Sequence, residues 1–447
     1  MKLYLLLFIF SIASLLSSSQ TEKYDLSKYK LPEIKRQQLD FFFQSSGQNS
    51  SSKYFIKDEN VSDTIKDENH QFSGTYNIGY SYYRNTQKIQ SLIFANSYGN
   101  YIKVKVNSFY QQDYSSFDNE LSFNYDLKYF FTPSNWFVTV TPKCLLNNRN
   151  FNNYEIDNES KYFYTNTSVG IGGGRGRIEQ VQDFRHAILL IEELEKRGVS
   201  KRNVSEAEMI ELSTLISQLK NKRFFDSRKQ KETELVALDS FFVEKGIVEE
   251  KSIQYFTGLE DIWSYGGLQV RESGKQVLFS IRPEYNIGKD LIKEENNTNE
   301  DLLINYHLSF VSKNPMSIKW QGNYGFGLNH EYLKRLQQQN ENLEEKSYQS
   351  HIFADGQIGY YPNTRTYFEL NSRIILSNRS DEKGFDNERY AAGLQVGSSC
   401  YYYISEKLRL EFGVSYNTGK SGIFNSDMED TYSKRMNYIL TLNYAIF

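Results

Sequence analysis

The sequence predicts an all-β transmembrane barrel of about 14 antiparallel strands (range about 12–16) interrupted by an α-helical inserted domain. Three observations predict it. Most of the chain alternates polar and apolar residues with period two. Short and long connections take turns along it, as periplasmic turns and outer loops do in a barrel. Near the middle the period changes from two to three or four. The expected domains are a signal peptide at 1–19, a first half-barrel at 34–174, a helical insert at 175–270 and a second half-barrel at 275–447.

Residues 1–19 carry Lys2, a largely apolar run from Leu3 to Leu16, and Ser17 and Ser19 before a cut near Gln20. That is the order of a secretory signal. No cysteine stands near the cut, which argues against a lipoprotein anchor.

In the first half, the predicted strand 34–46 leads to a polar loop at 47–70 and a strand at 71–84. A turn at 84–87 opens a long strand over 88–112, with a bulge expected at Gly99. Strands 120–131 and 135–147 flank a turn at Phe131-Thr132-Pro133-Ser134, and a loop at 148–159 precedes strand 160–173. The second half repeats the scheme, with long loops at 289–300, 330–346, 378–387 and 419–432. Short turns fall at 312–315, 361–364 and 404–406. Leu121, Phe123, Tyr125, Leu127 and Tyr129 show the apolar face, and charges recur on the opposite face. Lys105, Asp126, Arg282, His307, Asp355, Arg373, Arg409 and Glu411 are the expected luminal residues. Composition agrees: 35 Tyr and 31 Phe suit a pleated surface at a lipid interface. Mean hydropathy is −0.61, and beyond the N-terminus no run approaches the ~20 apolar residues of a spanning helix.

The insert is read from Ile178, Val181, Phe184, Ile188, Ile191 and Leu194, with Gly198 as C-cap. Ser205 and Glu208 form a capping-box pattern opening a second helix through Met209, Leu212, Leu215, Ile216 and Leu219. A third carries Leu235, Leu238, Phe241 and Phe242 and ends near Gly246; a fourth spans about 248–264. With an even strand count the insert falls on the periplasmic side. The run Gly172, Gly173, Gly174 and Gly176 is the candidate hinge, and Lys220, Lys222, Arg223 and Arg228 the candidate partner-binding cluster.

Residues 172–246, from GGGRGRIEQVQDFRHAILLIEELEKRG through NKRFFDSRKQKETELVALDSFFVEKG, carry a family resemblance together with LPEIKRQQLDFFF at 31–43. They resemble uncharacterised outer-membrane proteins of Bacteroidota in which a helical module interrupts a barrel. The resemblance implies location and architecture, and no substrate or catalytic residue.

A net charge of −3 leaves no footprint for nucleic acid. Cys144 and Cys400 cannot build a disulfide framework, and the five histidines lack metal-ligand spacing. No cofactor, metal or catalytic set is expected. Too little chain precedes the first strand for a receptor plug. The expected function is an outer-membrane channel, solute-binding pore or envelope scaffold. Its expected partners are outer-membrane lipid, the barrel-insertion machinery, and a periplasmic protein or peptidoglycan at the insert. The alternative is an outer-membrane hydrolase on luminal or rim residues, with His307 near Asn305 and His351 near Asp355.

Overall fold

A computed structural model describes residues 24–30, 33–58, 61–107, 113–131, 133–153, 158–221, 227–249, 251–292, 295–339, 341–381, 389–405, 408–423 and 431–444. The expected signal at 1–19 and the terminal Phe447 lie outside the described residues. Fourteen strands form one sheet in chain order. They are β1 (Ile34–Asp58), β2 (Val61–Asn85), β3 (Ile89–Asn107), β4 (Tyr114–Phe131), β5 (Trp136–Asn153), β6 (Asn158–Gln180) and β7 (Glu272–Ile292). There follow β8 (Glu295–Asn314), β9 (Trp320–Gln339), β10 (Glu341–Tyr360), β11 (Thr366–Asp381), β12 (Arg389–Tyr403), β13 (Leu408–Ile423) and β14 (Thr431–Tyr444). Every strand pairs antiparallel with its chain neighbours. Between β6 and β7 stand four helices, α1 (Gln182–Lys196), α2 (Glu206–Asn221), α3 (Ser227–Glu244) and α4 (Ile253–Tyr265). No helix among the described residues is long and apolar enough to cross a membrane.

The register sorts side chains onto two faces. One face carries Phe131, Tyr129, Leu127 and Phe123 of β4 beside Trp136, Val138, Val140 and Cys144 of β5. Carried round by the pairs, it includes Phe279 and Ile281, Leu308 and Tyr306, Phe326 and Leu328, and Phe412 against Leu440. Many of these apolar side chains are exposed, Phe326 at 57% and Ile352 at 56%. Both cysteines lie on this face and are free. The opposite face carries Asp126, Lys143, Arg282, His307 and Asp355.

The sheet is curled with the polar face inside. Arg36 of β1 donates to Asp183 of α1 (2.7 Å), while Arg185, two residues on, donates to the carbonyl of Ile318 just before β9 (3.0 Å). A flat sheet would set β1 and β9 about 38 Å apart at ~4.8 Å per strand. One helix about 10–12 Å across cannot bridge that gap. The Lys128 ammonium of β4 likewise reaches the Gln276 side chain of β7 across two intervening strands (3.1 Å). Among the described residues no pairing joins β14 to β1, so the rolled sheet has an unzipped seam.

Several expectations need correction. The polar segments expected as loops at 47–70, 148–159, 289–300 and 330–346 are mostly strand, and β1 and β2 pair from Ile34↔Asn85 to Asp58↔Val61. Backbone ladder bonds continue where the hydrophobic alternation stops, so periodicity alone ends these strands too early. The long β3 is one strand as expected, without the bulge: Tyr98, Gly99 and Asn100 pair in unbroken register with Asn77, Tyr76 and Thr75. Gly99 instead makes room for the Tyr76 ring, which a Cβ there would meet at 2.1 Å and displace. Strand β6 runs through the glycine run to Gln180, so α1 begins at Gln182 and Ile178 is still strand.

The insert has a conventional core. Phe184, Ile188, Ile191 and Leu194 of α1 meet Met209, Leu212, Ile216 and Leu219 of α2, Leu238 and Phe242 of α3, and Tyr255 and Leu259 of α4. Tyr24, Leu26, Tyr29 and Ile34, just before and at the start of β1, join it. The capping box forms: Ser205 N donates to the Glu208 carboxylate (3.0 Å), and Glu208 N donates to Ser205 Oγ (3.4 Å). Gly198 and Gly246 adopt φ +69° and +63°, the left-handed geometry that ends a helix.

Candidate functional site

The site is the concave wall together with the mouth that the insert covers. Arg271, fully buried immediately before β7, holds that mouth. Its Nε donates to the Gln321 side chain (2.8 Å), and its Nη atoms donate to the carbonyls of Ser317, Ile318 and Trp320 (2.7–2.8 Å). Arg271 and the buried Arg185 both lie over the Tyr361 ring, 4.5 and 5.2 Å from its centre. Burial, with the Arg271 charge next, pushes the Arg185 guanidinium down from its usual value. Arg365, in the turn between β10 and β11, pairs with Asp261 of α4. On the far side, Arg177 at the end of β6 donates to Asn85, Thr86 and Gln87 of the β2–β3 turn. The β8–β9 and β10–β11 turns thus meet the bundle through Arg185 and Asp261, and the β2–β3 turn is tied to the end of β6 that leads into it.

Asp126, Arg282, His307, Asp355, Arg373, Arg409 and Glu411 all face the concave side by register. Arg373 pairs with Asp355 (3.2 Å) and Arg409 with Glu411 (3.3 Å). Asp126 accepts a bond from Thr139, and the nearby Glu284 accepts one from Asn166 (2.7 Å). Lys105 does not join them. It stands opposite His70 on the face of Phe72 and Tyr101, because the unbroken Gly99 register keeps it there.

His307 lies in a row with Ser280, Asn329 and His351. Its Nδ1 bonds the Asn329 side-chain oxygen and its Nε2 meets Ser309 Oγ at 2.9 Å. The neighbouring Asn305 donates to Glu331 (2.7 Å).

Of the candidate partner cluster, only the Lys220 side chain falls within the described residues. Lys220 is half-buried, bonded to Asp183 (3.2 Å) and near the Trp263 ring (5.9 Å), so it serves the insert core. Lys222 and Arg223 lie outside the described residues, as does the Arg228 side chain of α3. Gly172, Gly173 and Gly174 are paired on both sides within β6, and Gly176 pairs with Gln276 of β7. A Cβ on Gly172 would meet the Phe279 carbonyl at 2.3 Å, and one on Gly174 the Val277 carbonyl at 2.0 Å. Close strand packing is therefore what the glycines provide here. Among the described residues no cluster suits a metal.

Sequence reasoning missed Arg185, Arg271, Tyr361, Ser309 and Asn329. His307 and Ser309, two apart on a strand, necessarily share a face and were readable as a pair. Asn329 joins them only through the β8–β9 register.

No family model and no curated protein matches the chain. Among solved structures, the chain is similar to OmpT (in-vitro folded), an outer membrane protein of Vibrio cholerae in trimer form. Identity is 9% and the TM-score 0.22, over 92% of this chain and 99% of that one. The architecture rests instead on the pairing and the converging turns.

Proposed function

We propose that the chain is an outer-membrane β-barrel that binds or passes a solute through its lumen. In this reading the insert covers the periplasmic mouth and presents its outer side to a periplasmic protein or peptidoglycan. One observation carries the proposal: the apolar side chains of successive strands are exposed on the convex face. A soluble monomer rarely exposes a contiguous apolar patch beyond a few hundred Å². On β5 this face runs from Trp136 to Leu146. Ten residues at ~3.3 Å each, tilted 35–45°, project to about 25 Å, the height of a barrel's lipid-facing band. Lipid is then the partner of that face, and the barrel-insertion machinery would deliver it there.

Polar residues along the concave wall favour a solute path over a filled interior, and the clamp at Arg271 favours a covered one. The test is reconstitution of the full chain into lipid vesicles and planar bilayers. The expected result is co-flotation with vesicles and low conductance, rising at least tenfold for the Arg185→Ala/Arg271→Ala pair. A chain that stays folded and monomeric in detergent-free buffer and ignores vesicles ends the proposal.

A further inference from the structure

We propose that Ser309, His307 and Asn329 form a nucleophilic triad on the concave wall that hydrolyses carboxylic esters with an apolar acyl chain. The hydrogen bonds define the tautomer. The Asn329 side-chain oxygen can only accept, so His307 Nδ1 must carry the proton it shares with that oxygen. The neutral ring's Nε2 is then a lone pair facing Ser309 Oγ at 2.9 Å, as a general base must be. This is the serine–histidine–orienting-group arrangement in which the third side chain holds the ring for proton transfer. The Phe353 ring stacks on the imidazole (centres 6.3 Å, planes 14° apart) and fixes it from another side.

The surroundings define the substrate class. Along the concave row, Ser309 is flanked by Leu278 on β7 and Gly327 on β9, and the Phe353 ring occupies the space a Gly327 side chain would fill. The row continues to Phe137 and Phe130 beyond Gly174, and to Ile375 beyond Phe353. An apolar strip thus interrupts the charged wall at the one hydroxyl bonded to His307, and an acyl chain can lie along it. Arg373, 5.1 Å from the Phe353 ring centre and paired with Asp355, bounds the strip on that side.

In the first step Ser309 Oγ bonds to the acyl carbon, the carbon–alkoxy bond breaks, and the serine proton passes through His307 Nε2 to the departing alcohol. Water then attacks the acyl-enzyme, giving its proton to the same nitrogen. The acid leaves and Ser309 recovers its proton. No metal or redox partner is needed for the atoms to balance.

The experiment uses the full chain in lipid nanodiscs, a fluorophosphonate probe and p-nitrophenyl butyrate. Stoichiometric labelling at Ser309 is expected, with at least 100-fold loss of hydrolysis in Ser309→Ala and in His307→Gln. Asn329→Ala should lose about tenfold and Asn329→Asp should restore activity, which a merely structural bond would not do. Ser309→Ala leaves every ladder bond in place, so its loss of labelling is not a loss of fold; far-ultraviolet circular dichroism checks this. An unlabelled wild-type chain, labelling at another residue, or hydrolysis that survives Ser309→Ala overturns the proposal.

Discussion

The sheet and the insert spend their apolar residues in opposite ways. In the insert, Ile188, Met209, Leu238 and Tyr255 are buried against one another, and the outside is largely polar with single apolar side chains such as Val236 and Ile253 exposed. On the sheet, Leu308, Phe326 and Ile352 are exposed, while Arg282 and Asp355 face inward. The two regions share one chain and meet within a few residues at Gln180 and Gln182. The difference implies two solvents. Burying Leu or Phe stabilises the insert by about 1.5–3 kcal/mol per side chain in water. The same residues on the convex face contribute only if the surrounding medium is itself apolar.

The largest expected effect lies where the two regions join. Arg271→Ala leaves the Gln321 side-chain oxygen without its donor, at about 1–3 kcal/mol, and empties the space of a wholly buried side chain, at about 2 kcal/mol, roughly 3–5 kcal/mol together, while the Ser317 and Trp320 carbonyls keep each other's amides. Urea unfolding of the insert, followed by Trp263 fluorescence in a background with Trp136 and Trp320 replaced by Phe, measures it. A shift under 1 kcal/mol would mean that the mouth is held elsewhere.

Next comes the contrast in solvents itself. Leu308 on the convex face and Val236 on α3 are both exposed, at 47% and 59%. Leu308→Arg should cost about 2–4 kcal/mol in a bilayer if it lies near the midplane. Val236→Arg should stay within about 0.5 kcal/mol, as surface changes in water do. Equal costs at the two sites would erase the distinction between the regions.

What could be read from the chain follows the same division. Leu121 to Tyr129 alternate so strictly that a half-apolar strand was the only economical reading. Met209, Leu212, Ile216 and Leu219 marked a helix face in the same way. Lys220 could not be placed from the sequence, because a lysine one place beyond that stripe can face solvent, a partner or an internal carboxylate. Only the tertiary approach of Asp183 and Trp263 draws it against the insert. The tall β1–β2 hairpin was invisible because Ser, Gln and Asn carry no periodic signal while their backbones still pair. Asn329 could not be linked to His307 without the register that sets β9 against β8.

The smallest effect separates the two regions by pH. His186 of α1 is wholly buried, its Nε2 meets the Ile262 carbonyl (2.9 Å), and its ring stacks on Trp263 (centres 5.1 Å apart). Burial first, and then the Lys220 charge, hold its pKa well below the ordinary imidazole value, with Arg185 adding in the same direction. The folded insert therefore keeps a neutral ring, whereas the unfolded chain takes up a proton near pH 6.5. Unfolding then binds a proton, so this contribution is fully present above pH 6.5 and is lost as the pH falls below it. The slope reaches at most about 1.4 kcal/mol per pH unit for one group. Urea midpoints from pH 7.5 to 5.0, read by Trp263 fluorescence, should fall in the wild-type chain. They should fall less steeply in His186→Gln, which cannot take the proton. Identical slopes in the two proteins would place the acid sensitivity outside this ring, and a flat wild-type profile would mean that water reaches it.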